Sequence, residues 1–117
     1  MSLPHPGPCE PIDVRPLGAR LGDSSSTALF RTDDVEVMRL VLPRGKTVPE
    51  HHVEGEMTLQ CLEGVVEVRT GDGTQQLQAG EMLYLYGRTP YSIAALDDAS
   101  LLMTMLRKGE NSKDDDD

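Results

Sequence analysis

Residues Gly45–Gly64 read GKTVPEHHVEGEMTLQCLEG, and the spacing within this stretch decides the fold. Two adjacent histidines, His51 and His52, stand among Glu50, Glu54 and Glu56, and the mostly apolar run Met57–Leu62 follows before Glu63 and Gly64. Imidazole with carboxylate is a donor set for transition metals. Strand alternation, however, sends neighbouring side chains to opposite faces, so His51 and His52 enter one pocket together only if the chain bulges there.

Around this stretch short β-type runs recur, each closed by turn residues. They are IDVRPL (12–17), TALFR (27–31), VEVMRLVL (35–42), MTLQCL (57–62), VVEVRT (65–70), TQQLQ (74–78), MLYLY (82–86), YSIAAL (91–96) and SLLMTML (100–106). Thr32-Asp33-Asp34 predicts a hairpin turn between the second and third runs, and Pro43-Arg44-Gly45 and Gly71-Asp72-Gly73 mark further reversals. Val66 and Val68 alternate with Glu67 and Arg69, the period of a half-buried strand, and no segment of useful length carries helical spacing. Many short strands with evenly spaced turns predict an all-β sandwich or small barrel.

At 117 residues and 12.8 kDa the chain supports one domain. The expected division is an irregular, proline-rich arm over 1–11, a barrel over 12–106 and an acidic, disordered tail over 107–117 that ends in Asp114–Asp117. The net charge of −9 argues against nucleic acid and against acidic membrane surfaces, both of which select basic patches. No run approaches the roughly 18 apolar residues of a membrane span, and the first residues lack the pattern of a signal peptide, so a cytoplasmic protein is expected. Cys9 and Cys61 lie in unlike contexts and predict no disulfide framework. Nothing electropositive flanks Cys61 in TLQCLEG, which reads as a buried structural thiol rather than a nucleophile.

The opening stretch resembles the first motif of the cupin family, G-x5-H-x-H-x3,4-E-x6-G, with Gly45, His51 and Gly64 at the family's intervals. The family's later motif, G-x5-P-x-G-x2-H-x3-N, places its first glycine on Gly80 in AGEMLYLYGRTPYSIA. Together the two cover Gly45 to Ala95. The resemblance implies a double-stranded β-helix, or jelly roll, with a pocket in its mouth, and small members commonly form dimers. It also implies that two histidines and a glutamate of the first motif and a histidine of the second converge on one divalent ion. Carried over one position at a time, these fall on His51, Val53, Met57 and Tyr91, so one ligand of four is kept.

A second register places Glu50 and His52 in the first two positions, with Met57 and Tyr91 unchanged. Its first gap is one residue short, so the His51 register is preferred. The expected pocket is lined by His51, Val53, Met57, Leu59, Cys61 and Tyr91. Valine and methionine at ligand positions make it apolar, while Tyr91 brings a ring with one polar handle, which suits a small, largely apolar ligand or equally a filled core.

Two function classes follow. The first is a small-molecule binding or regulatory module without the family's metal site and without a cofactor. The alternative is a metal-dependent enzyme of dioxygenase, isomerase or decarboxylase type, with a divalent transition metal rebuilt on His51, His52 or Glu50, aided by Glu56 or Tyr91. A metal-free enzyme using His51 and Tyr91 as acid and base is a third option. Strands near the N-terminus leave a sheet edge, from which a homodimer is expected; light scattering on the 12.8 kDa chain reads it directly.

Overall fold

The computed structural model describes residues 7–107. Among these, nine strands follow in chain order: β1 (Thr27–Arg31), β2 (Val35–Leu42), β3 (Thr47–His51), β4 (Met57–Glu63), β5 (Val65–Thr70), β6 (Gly73–Gln78), β7 (Met82–Leu85), β8 (Tyr91–Ala95) and β9 (Ala99–Leu106). They form a five-stranded sheet in the order β1-β2-β9-β4-β7 and a four-stranded sheet in the order β3-β8-β5-β6, with antiparallel neighbours. Strands distant in sequence thus lie side by side, and the chain crosses between the sheets as a jelly roll does. No described helix is long and apolar enough to cross a membrane.

Alternation dictates what the sheets enclose. Met57, Leu59 and Cys61 of β4 face inward with Leu101, Met103 and Met105 of β9, and they meet Val66, Val68, Tyr91, Ile93 and Ala95 from the other sheet. These side chains make one continuous apolar core. The hairpin expected at Thr32-Asp33-Asp34 joins β1 to β2, closed by a hydrogen bond from Thr32 N to Val35 O of 2.8 Å.

Two elements differ from the sequence expectation. IDVRPL forms no strand. Pro11 and Pro16 have no N–H to give to a ladder, and the Asp13 carboxylate accepts hydrogen bonds from Arg15 N, Nε and Nη2, which closes a local turn instead. The chain continues into a 3₁₀ turn over Gly18–Asp23 that buries Leu21, an element the strand-like spacing gave no hint of. Conversely, TVPEH is the short edge strand β3, which Pro49 and the polar Thr47, Glu50 and His51 had hidden. The arm expected over 1–11 and the tail expected over 107–117 fall partly outside the described residues, at 1–6 and 108–117.

Residues 12–26, hereafter the N-terminal arm, settle on the outer face of the five-stranded sheet. Met38, Leu40 and Leu42 of β2 pack into the core, so Arg39 and Val41 point the other way. Both are buried all the same, because the segment 13–26 passes over them: Arg39 Nη2 donates to Asp13 O at 3.0 Å and Val41 N to Ser26 Oγ at 2.8 Å. At the base of the barrel Glu63 receives Leu17 N at 2.9 Å, Gly18 N at 3.0 Å and the hydroxyl of the fully buried Ser100.

Candidate functional site at the barrel mouth

The register of β3 against β8 decides which histidine faces inward. Val48 pairs with Ile93 and His51 with Tyr91, so three steps along β3 oppose two along β8. One extra residue is accommodated, which is a β-bulge. Unbroken alternation from the inward Val48 would turn Glu50 inward and His51 outward, the geometry of the second register. The bulge reverses that, and His51 shares a face with Tyr91. Pro49 sits within the bulge, where its missing N–H costs no ladder bond.

His51 and Tyr91 bond to each other. The Tyr91 hydroxyl lies 3.1 Å from His51 Nε2 and the ring centroids are 4.7 Å apart. His51 Nδ1 is 3.1 Å from Pro49 O, a group that can only accept. Nδ1 therefore carries the proton, and Nε2 accepts from the Tyr91 O–H. Tyr91 is fully buried whereas His51 lies exposed at the rim. Burial raises the Tyr91 pKa, so the phenol is a hydrogen-bond donor at neutral pH and not a base.

The loop from His52 to Glu56 completes the rim. Arg88 N donates to Val53 O at 2.8 Å and Leu106 N to Glu56 O at 2.9 Å, which holds Val53 partly buried against the core. Arg88 occupies the second motif's later glycine position, and its φ of 64° keeps the left-handed conformation that glycine would supply. Its side chain is anchored by Glu54, with Nε 3.0 Å from Oε1. His52 is half-exposed, with Nε2 3.5 Å from Glu54 Oε2. Glu50 and Glu56 are exposed.

Of the six residues read as pocket lining, Met57, Leu59, Cys61 and Tyr91 are buried in one cluster, Val53 packs against it and His51 touches it through Tyr91. Where Val53 and Met57 do border open space, they border rim clefts. One of about 320 Å³ lies between Val53, His52 and Glu54 and the strand ends at Glu36 and Met105; another of about 210 Å³ lies beside Met57, Tyr84 and Thr104. The Cys61 thiol points to the base, within 3.3 Å of Glu63 O and 3.5 Å of Gly64 O, and burial raises its pKa. It is a poor nucleophile.

A divalent ion does not fit these residues. Among the described residues no group of three or more His, Cys, Asp or Glu side chains converges. The four positions hold one imidazole already engaged at Nε2, a phenol, an isopropyl group and a thioether, with no carboxylate to balance charge.

No protein-family model matches the sequence, and no curated protein matches it either. Solved structures do. An RmlC-like cupin protein of Desulfovibrio desulfuricans superposes with a TM-score of 0.70 at 23% identity, over 84% of this chain and 98% of that one. This chain has the cupin fold. A cupin superfamily protein of Desulfitobacterium hafniense gives 0.69 at 20% identity, over 81% and 93% of the two chains. A cupin-2 domain containing protein of Shewanella frigidimarina gives 0.61 at 17%, over 71% and 80%.

The motif spacing places His51 and Tyr91 at two ligand positions but does not show that they bond to each other. Nor does it reveal the buried Arg39 and Ser100 and the partly buried Glu63 at and near the base. One signal was present: an arginine at the centre of the apolar strand VEVMRLVL is out of place unless something covers it.

Proposed function

We propose that this chain is a small-molecule binding or regulatory module that works at the mouth of a cupin barrel without a metal. The observation that carries the reading is the 3.1 Å contact between Tyr91 Oη and His51 Nε2, which turns two ligand positions into partners of each other. Val53 and Met57 at the remaining positions add apolar surface where a metal site needs charge. The cleft beside Val53, with Met105 below and His52 at its side, suits a small ligand of largely apolar body and one polar group. A homodimer belongs to the same proposal, with β1 at a sheet edge as its support.

Elemental analysis tests the reading together with a restored ligand set. Wild-type protein purified without chelator is expected to carry well under one equivalent of iron, manganese, nickel or zinc. The triple variant Val53→His, Met57→Glu, Tyr91→His is expected to bind one of them tightly. Near-stoichiometric metal in the wild type, lost on His51→Ala, would replace the binding-module reading with the metal-dependent enzyme. A folded triple variant that ignores metal would show that these four positions do not converge as the fold requires.

A further inference from the structure

We infer that the cleft between the N-terminal arm and the outer face of the five-stranded sheet binds a small oxyanion, a carboxylate or a phosphate, with Arg39 as its deepest donor. This site is separate from the barrel mouth and does not depend on the function proposed for it.

Arg39 is the starting point. It projects from the outer face of β2 and is only 6% exposed. Its guanidinium carries five N–H donors and cannot shed its charge. Among the described residues that side chain makes one hydrogen bond, from Nη2 to Asp13 O, and no ion pair. Glu63 is close enough to feel the charge, but its carboxylate is taken by Leu17 N, Gly18 N and Ser100. A buried cation with so few partners is costly unless something else meets it. No fully buried side-chain nitrogen lacks a partner, so the unbonded Nε and Nη1 of Arg39 still reach solvent, and the cleft is their outlet.

The cleft has the size and the charge for an anion. It encloses about 410 Å³, and its lining includes Arg39, Arg20, Arg15, Ser25, Thr27 and Leu29. The one acid among the lining residues, Asp13, is occupied by the fork of Arg15, which holds its pKa well below the usual carboxylate range. Arg15 and Asp13 therefore cancel, leaving Arg39 and Arg20 as the remaining charged groups of the lining, with the Glu63 carboxylate near Arg39 but outside the cleft. Two guanidinium groups sharing a lining with serine and threonine hydroxyls are donors for an oxyanion, and Leu17 and Leu29 add apolar surface for the remainder of the molecule. A carboxylate or phosphate ester of a few carbons fits this description.

Titration of the full-length ¹⁵N-labelled chain with inorganic phosphate and, separately, with succinate tests the assignment, at ionic strength held constant with sodium chloride. Saturable shifts of the Ser25, Thr27 and Arg39 amides are expected with a Kd of about 1 mM or tighter for at least one probe. Arg39→Gln is expected to weaken binding about tenfold or more and Arg20→Gln a few-fold. Should Arg39→Gln lose the dispersed spectrum of a folded chain, the double variant Arg20→Gln, Ser25→Ala takes its place. Tighter binding of phosphate assigns the cleft to phosphate esters, and tighter binding of succinate assigns it to carboxylates. No saturation by about 20 mM of either probe overturns the inference. So does an unchanged Kd in the folded variants, since Arg39 would then only clamp the arm.

Discussion

The two ends of the barrel handle buried polarity in opposite ways. At the base, Glu63 is a partly buried carboxylate surrounded by donors: two backbone amides of the arm, the Ser100 hydroxyl and the nearby charge of Arg39. At the mouth, Tyr91 and His51 share a single hydrogen bond, with one partner fully buried and the other at the water's edge. The base is over-satisfied and fixes where the arm lies. The mouth is satisfied at the minimum, and water can replace the exposed partner. A fold can change chemistry at the second kind of end more cheaply than at the first, because fewer groups lose partners when one side chain is exchanged.

The largest expected effect tests whether the base is as rigid as this comparison holds. Gly64 closes the turn between β4 and β5 at φ 78°, and a Cβ there would clash with the backbone carbonyl oxygen of Asp98. Gly45 has a similar φ of 87° but open space around it. Gly64→Ala therefore adds a backbone clash to the conformational strain, about 3 kcal/mol or more in total, while Gly45→Ala bears the strain alone, about 1–2 kcal/mol. Chemical denaturation of both variants reads the difference. Equal losses would mean that the base yields to accommodate a methyl group.

A middle-sized effect is expected at Glu63. Burial opposes its ionisation, but the hydrogen bonds from Ser100, Leu17 N and Gly18 N and the charge of Arg39 outweigh it and lower the pKa. The folded state then binds fewer protons than the unfolded state below the ordinary glutamate pKa of about 4.3. The contribution is complete above that pH and is lost as pH falls through the folded value. Glu63→Gln is expected to cost about 2 kcal/mol at neutral pH, because an amide cannot accept from all three donors. The gap to wild type should narrow on acidification. A gap that stays constant down to about pH 3 would show that the carboxylate charge is not what holds the arm.

Legibility in the sequence divides along the same line. The β architecture was readable because the runs around Val66-Val68 and Met57-Leu59-Cys61 alternate and because Gly45, Gly64 and Gly80 sit at spaced turns; all three take positive φ in the structure. Those glycines answer to local backbone geometry, which short spacing can encode. The inward turn of His51 depends on a bulge at Pro49, and a one-residue insertion in a strand leaves no periodic trace. The Glu63 group joins residues 17, 18, 63 and 100, and its members approach only after the sheets have formed. The segment IDVRPL misled for a related reason: it has the composition of a strand, but Pro16 and the Asp13–Arg15 turn deny it a ladder.

The smallest effect is expected at the mouth, with Tyr91→Phe. The ring stays and continues to fill the core, so no cavity opens, and only the hydroxyl and its bond to His51 are removed. His51 Nε2 lies on an exposed residue and can turn to water, so the loss at neutral pH should be about 1 kcal/mol. The same variant has an alkaline signature. Burial raises the Tyr91 pKa, so its contribution is complete below the ordinary tyrosine value of about 10 and disappears as pH rises through the folded value. Wild type should therefore lose stability at about pH 10.5 more steeply than Tyr91→Phe, which keeps the alkaline slopes of Cys61 and Tyr84, whose pKa values are also raised, but not that of Tyr91. Urea titrations of both proteins at neutral and alkaline pH supply the four numbers needed. A loss above about 3 kcal/mol at neutral pH would place the hydroxyl in an enclosed network like that of Glu63, and the distinction between a fixed base and an adaptable mouth would fail.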